Sequence, residues 1–299
     1  MINHIAMFTI ITCSIDPAKA ETLRQNIAAT IGVEFEFAAI DNRGTGKGIC
    51  HVYNEAAERA QYDLLCFVHE DVEFTTEGWG TVLAAKLREA SCGIIGFAGS
   101  TVKLQRTTAW NTARRYMRCN YTQFMRGRNH TKRVNPFAEE FSRVVTLDGM
   151  CLAMRRDVWA QLRFDEEHLT GFHGYDLDIT IASAAAGLNN YVCHTIMPIH
   201  YSAGNYSPQW YAETVRLHEK WHGVLPLYAF EADEHEMQRA EREGEAEAMR
   251  ILMQKGLFEF CGHAEVFDYL HRYPLYAGAW RLLFQYYKYK RRAARKTKK

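Results

Sequence analysis

Leu64-Leu65-Cys66-Phe67-Val68-His69-Glu70-Asp71 is a short apolar run that ends abruptly in three groups able to hold a divalent metal. Five apolar residues bounded by polar ones read as a buried strand. In an open α/β sheet the ligand crevice lies beyond the carboxyl ends of the strands, so acidic groups placed there meet substrate rather than core. Two later stretches strengthen this reading: Gly174-Tyr175-Asp176-Leu177-Asp178, and Pro198-Ile199-His200 closing another apolar run. Together they predict a metal-dependent site for a phosphorylated substrate.

Upstream, Met7 to Ser14 reads as another buried strand. Asp16-Pro17 then supplies an N-cap and a Pro in the first turn of a helix running towards Gly32. Phe35 to Ile40 forms a second strand ending in Asp41-Asn42, and the loop from Gly44 to Gly48 feeds a helix through Ala60. After Val68 come a helix from about Glu77 to Ala90 and a short strand at Ile94 to Phe97. Strands alternating with helices predict an α/β fold whose mostly parallel sheet is covered on both faces. From about Ala98 to Phe141 the pattern gives way to polar, basic and aromatic residues, among them Trp110, Arg114, Tyr121 and Arg126, which predicts a long functional loop. Regular structure resumes with Val144 to Met154, a helix near Asp157 to Leu162, a helix from Tyr175 and a strand from Tyr191 to Ile199. After Trp210 the sequence is helical, with Pro226 and Pro274 as breaks.

Hydrophobic residues make up 47% of the 299 and charged residues 24%, the balance of an ordinary globular chain and far from the disordered or fibrous classes. The net charge of +1 says little about partners, and no nucleic-acid partner is expected. The eight cysteines form no Cys-x-x-Cys pair and several lie in apolar runs, the pattern of reduced core thiols in a cytoplasmic protein rather than of a disulfide framework or zinc knuckle. The apolar run from Ile5 to Cys13 lacks a basic n-region and reads as a first strand, not a signal peptide. No stretch approaches the ~20 apolar residues that span a bilayer.

Gly44-Thr45-Gly46-Lys47-Gly48 is not a P-loop, because the positions that need Gly and Ser or Thr hold Asp41 and Gly48. Asp41 at a strand end either accepts hydrogen bonds from a base or ribose or caps the following turn. A hard divalent cation bridging two phosphates needs one or two protein carboxylates, sometimes a His, and Asp71 and His200 are both placed to supply them. The acids of Tyr175-Asp176-Leu177-Asp178 suit a helix N-terminus. Asp176 is the base candidate, and Asp178 is expected to bind helix-terminal amides. At the other end, Trp280, Phe284 and Tyr287 precede Lys288 to Lys299, with eight basic residues in twelve. Such a stretch either lies on an anionic membrane surface or is a packed terminal helix with a solvated tail.

In the order of these motifs, residues 7 to 222 resemble the nucleotide-sugar glycosyltransferases of the glycosyltransferase-A fold, especially the bacterial family-2-like group. The later motifs are similar to those of metal-dependent galactosyltransferases. Thr9 to Ser14 and Asp41-Asn42 match nucleotide-binding strand ends, and His69-Glu70-Asp71 falls where Asp-x-Asp is expected. Asp148-Gly149-Met150-Cys151-Leu152 looks like the later strand that frames donor and acceptor. Gly174 to Asp178 is similar to the Gly-Glu-Asp-x-Asp base motif, and His200 occupies the position of a late metal-binding histidine. The chain departs from the pattern at His69, which replaces the first Asp, and at Tyr175, which replaces an acidic residue that often binds acceptor.

The resemblance implies a Rossmann-like mixed sheet, a catalytic domain over 1-222 and a helical extension with a basic tail over 223-299. It implies donor contacts from Thr12, Ser14, Asp41 and Asn42, and from Glu70, Asp71, Asp148 and Gly149. Acceptor contacts are expected from Tyr175 and Trp110, and Mn²⁺ or Mg²⁺ held by Asp71, His200 and His69. The implied reaction is inverting transfer from a nucleotide-diphosphate sugar, a UDP-sugar first, to a hydroxyl of a glycan or lipid-linked acceptor in cell-envelope glycan synthesis. Two competing readings are a nucleotidyltransferase on the same metal and phosphate architecture, and a non-catalytic nucleotide- or sugar-binding protein with a degenerate site.

Overall fold

A computed structural model describes residues 6–296 except 126, 203 and 205, so Ile5, Arg126 and the tail beyond Lys296 lie outside the described residues. The first part alternates as expected: β1 (Met7–Ser14), α1 (Pro17–Thr30), β2 (Glu34–Asp41), α2 (Ile49–Arg59) and β3 (Leu64–Val68). There follow β4 (Val72–Phe74), α3 (Trp79–Leu87), β5 (Cys92–Gly96), β6 (Ala98–Ser100), β7 (Val102–Lys103), β8 (Met117–Met125) and β9 (Arg128–Val134). Next come β10 (Phe141–Val144), β11 (Thr146–Leu147), β12 (Cys151–Arg155), α4 (Arg156–Leu162) and α5 (Tyr175–Ala185). The chain continues through β13 (Asn189–Cys193), β14 (Pro198–His200), α6 (Pro208–Lys220), β15 (Leu227–Tyr228), α7 (Glu234–Lys255), α8 (His263–Arg272) and α9 (Ala277–Lys296).

A seven-stranded mixed sheet runs β10-β13-β5-β12-β3-β1-β2. Its parallel run β3-β1-β2 comes from the alternating first part, and β12 inserts antiparallel between β3 and β5. The pleat of β3 explains why its sequence is apolar throughout. Leu65 and Phe67 point into a core that includes Tyr53 of α2 and Leu177 of α5. Cys66 and Val68 point into the opposite core with Leu23 of α1 and Leu83 of α3. Asp16 caps α1 as its sequence implies, accepting from the Ala18 and Lys19 amides at 3.0 and 3.4 Å.

The expected loop from Ala98 to Phe141 is instead largely strand. β6, β8, β14, β4 and β11 form a second sheet, with β9 paired to β8. The stretch lacks an apolar alternation because β8 buries polar Asn120 and Thr122, while β9 is an exposed edge of basic and polar residues. Charge on such an edge blocks strand addition by other chains. The strand expected over Val144 to Met154 is interrupted at Asp148-Gly149, and the one over Tyr191 to Ile199 between Cys193 and Pro198. Both interruptions carry the chain between the two sheets, since β12 and β13 belong to the first and β11 and β14 to the second.

Beyond α6, β15 pairs antiparallel with β7. The last three helices share a core around Met253, Tyr269, Leu282 and Tyr286. α7 also rests on the β7 region: Ala240 joins Val102, Leu104 and Tyr116 in a small cluster, and Arg106 and Arg272 both pair with buried Glu245. Among the described residues no helix is long and apolar enough to cross a membrane.

Candidate active site

The carboxyl end of β3 and the end of β14 meet. His69, Asp71 and His200 each offer a ligand atom, all within 4.8 Å of one another. The rings of His69 and His200 are 5.7 Å apart, and His200 Nε2 is 3.3 Å from Asp71 Oδ1. That contact lies outside hydrogen-bond geometry, so the buried Nε2 is left without a hydrogen-bond partner. A buried nitrogen without a partner is costly unless a ligand takes its lone pair. Burial and the neighbouring His200 hold His69 below the ordinary histidine range, which keeps its ring neutral. Burial also disfavours charge on His200, but the Asp71 carboxylate and then Asp148 outweigh it and lift His200 above that range. For Asp71, burial raises the carboxyl, and the pull of His200 and His69 more than offsets it. Two imidazoles and one carboxylate fit a divalent cation of the Mn²⁺ type, and the unpartnered Nε2 supports that fit.

The α5 N-terminus lies against this cluster. Tyr175 is buried, its hydroxyl 2.6 Å from His69 Nε2 and donating to the Gly149 carbonyl at 3.1 Å. A phenol has one proton. With that proton on the Gly149 carbonyl, the oxygen accepts from Nε2–H of His69, and Nδ1 keeps the lone pair. Tyr175, expected on the acceptor side, is buried with its hydroxyl between His69 Nε2 and the Gly149 carbonyl. Gly149 has no side chain for a steric reason: a Cβ there would come within 2.2 Å of the Tyr175 hydroxyl.

Asp176 follows on the same turn, and its Oδ2 accepts from the Gly149 amide at 3.0 Å. Burial, and then the nearby Asp148, push its carboxyl up to about 7. Asp148 turns one oxygen onto the Met150 amide at 3.0 Å. Asp178 does not bind helix-terminal amides as expected. It is buried between α5 and α6, where its Oδ1 accepts from Lys220 Nζ at 2.8 Å and from Trp221 Nε1 at 2.7 Å.

The other candidates spread along the strand ends. Ser14 and Glu70 hold each other: Glu70 Oε2 accepts from Ser14 Oγ at 2.6 Å and from the Ile15 and Asp16 amides at 3.1 and 3.2 Å. Glu70 thereby fixes the turn between β1 and α1. Thr12 is fully buried with its hydroxyl unpartnered. Asp41 is exposed and gripped by the Arg43 guanidinium, whose bonds hold its carboxyl down at about 2. Asn42 organises the glycine-rich loop, donating to the Lys47 carbonyl at 3.0 Å and accepting from Thr45 Oγ1. Trp110 is half-buried, and its carbonyl accepts from Thr146 Oγ1 at 3.2 Å.

Two residues near the site escape sequence reasoning. Lys103 is fully buried and donates to Thr108 O, Thr108 Oγ1 and Ala109 O at 2.6, 3.0 and 3.2 Å. Burial pushes it down to about 7, with the Asp176 charge pulling the other way. The phenol of Tyr206 is pushed up to about 12 by burial and then by the charges of Asp148 and Asp176. A lysine between apolar neighbours was the only sign of the first, and nothing in the sequence marks the second.

The sequence model described as "Glycosyltransferase like family" matches residues 9–215, more than half of the chain. The chain belongs to that family. Its mixed sheet flanked by helices is the α/β architecture that the sequence implied. No curated protein sequence matches the chain significantly. Among solved structures, GalNAc-T7 with UDP, GalNAc and Mn²⁺ is similar at 9% identity and a TM-score of 0.49, over 74% of this chain and 50% of that one. The chain thus spans about half the length of that protein. TarS of S. aureus in complex with UDP-GlcNAc is similar at 13% identity and a TM-score of 0.48, over 93% of this chain and 78% of that one. A197 from STIV is similar at 12% identity and a TM-score of 0.36, over 66% and 86%.

Proposed function

We propose that this glycosyltransferase is metal-dependent and inverting, moving a sugar from a nucleotide diphosphate to an acceptor hydroxyl. The observation that carries the reading is a carboxyl poised at about 7, Asp176, next to the His69, Asp71 and His200 cluster. A general base works best when it titrates near the operating pH. In this reading His69, Asp71 and His200 hold Mn²⁺ or Mg²⁺. A cation held by these residues would supply charge neutralisation for the leaving diphosphate. Asp176 takes the proton of the acceptor hydroxyl as that oxygen attacks the anomeric carbon, and one displacement inverts the centre. The Gly149 amide orients the Asp176 carboxylate, and Glu70 holds Ser14 and the β1–α1 turn in place.

Donor contacts are assigned to Thr12, Asp41, Asn42 and Asp148, of which Asp41 is open to solvent. Trp110 remains the acceptor-side candidate. The acceptor is a glycan or a lipid-linked saccharide, consistent with cell-envelope glycan synthesis, and the compartment is the cytoplasm. The eight free thiols support that compartment, among them Cys66 and Cys151, whose sulfurs share a hydrogen bond at 3.5 Å.

The test is a donor screen that begins with UDP-sugars and reads nucleoside diphosphate release with and without Mn²⁺. Metal-stimulated release that requires an acceptor, and is lost in Asp176→Asn, is expected. Pyrophosphate release from a nucleoside triphosphate and sugar phosphate, with no sugar transfer, would assign the site to nucleotidyl transfer instead.

A further inference from the structure

α9 buries one side and leaves the other with a composition that needs explaining. Ala279, Leu282 and Tyr286 pack into the core shared with α7 and α8. On the opposite side Trp280, Phe284 and Tyr287 are 56%, 71% and 44% exposed. With 3.6 residues per turn, these three aromatics and Arg291 fall within an arc of about 60°. Lys288, Arg291, Arg292 and Arg295 line a shallow groove with Phe284 and Tyr287. The helix contains no Asp or Glu, so nothing along it offsets that charge. Leu275, just before the helix, is 99% exposed.

We infer that this face of α9 docks on an anionic lipid surface, with Leu275, Trp280 and Phe284 entering the interfacial layer and the basic residues contacting acidic headgroups. Aromatic rings with a polar edge favour the interface, and basic side chains beside them are drawn to anionic leaflets. A helix with a packed apolar side and an aromatic, basic outer side lies in the membrane plane rather than across it. A single-stranded nucleic acid would also meet the aromatics and the charge. It has no use for Leu275, which offers no ring for a base to stack on.

The inference goes beyond the transferase reading, and vesicle binding needs neither donor nor metal, so the failure of one leaves the other standing. The experiment is flotation of the full chain with phosphatidylcholine vesicles and with mixed phosphatidylcholine–phosphatidylglycerol vesicles at two salt concentrations. Binding to the mixed vesicles, weaker at high salt and weaker on pure phosphatidylcholine, is expected. Trp280→Ser/Phe284→Ser and Arg291→Gln/Arg292→Gln should each lower partitioning by roughly tenfold or more. Because these side chains are exposed, both variants should melt as the wild type does, which separates lost docking from lost folding. Equal flotation of both variants and wild type would overturn the inference. So would retention on single-stranded RNA without vesicle binding, or a dimer that Trp280→Ser/Phe284→Ser converts to monomer.

Discussion

Asp176 sits between opposing influences: burial and the neighbouring Asp148 favour its protonated form, while the amides of Leu177 and Gly149 favour the carboxylate. The carboxyl is raised in the folded chain, from 3.8 to about 7, so the folded state holds this proton more tightly than the unfolded state does. Two consequences follow from the sign. The base is ionised only above about 7, so the transfer rate should rise with pH through that value, and Asp176→Asn should remove this limb while lowering the rate about 10²–10⁴-fold. Ionisation above that pH costs stability, so the metal-free Asn variant should be more stable than wild type at pH 8, by on the order of 1–2 kcal/mol after screening, as thermal melts would read. Tyr175 makes the complementary case for support. Tyr175→Phe removes the acceptor for His69 Nε2–H and should weaken Mn²⁺ binding about 10–100-fold by calorimetry. The positions of Asp71, His200 and Asp176 were legible because each follows an apolar run or opens a helix. The task of Tyr175 was not, since spacing along the chain says nothing about which atom across the sheet its hydroxyl reaches.

At the scale of elements, α5 is set by what holds its first two turns. Asp178 ties it to the C-terminal end of α6 through Lys220 and Trp221, and Lys220 also grips Asp165 at 2.6 Å. Asp178→Asn keeps the shape but removes the charge that Lys220 faces. A buried hydrogen bond to a charged group is worth about 1.5–3 kcal/mol, so denaturant unfolding should show a loss of that order. Transfer should fall with it because Asp176 rides on the same helix; wild-type stability in the variant would disprove the latch. The alternating elements before Val68 were legible because β1 and β3 are buried on both faces and α1 carries its Asp16 cap in the sequence. The β8–β9 hairpin was not: buried Asn120 is satisfied by the carbonyls of His194 and Ile196, at 2.9 and 2.7 Å, partners some seventy residues away. A polar residue that finds its partner only in the folded sheet looks like loop when read alone.

For the molecule as a whole, the C-terminal helices do more than cap the catalytic sheet. β15 extends β7, Glu245 of α7 anchors Arg106, and Gly244 lets α7 approach Leu104 so closely that a Cβ would come within 2.2 Å of the leucine Cδ1. Leu104 is fully buried and adjacent to Lys103, the buried lysine on which the Asp176 charge acts. A side chain at 244 would therefore push on Leu104, just after β7, and not on His69, Asp71 or His200. Gly244→Val should cost about 1–3 kcal/mol, the usual penalty for overpacking a filled interior. The transfer rate should drop while Mn²⁺ affinity stays at the wild-type level, because His69 and Asp71 lie in the turn after β3 and His200 ends β14, away from the Gly244–Leu104 contact. Thermal melts, metal titration and single-turnover rates on the same preparation check all three expectations. A variant with wild-type stability and rate would mean that the helical extension and the catalytic sheet are energetically independent.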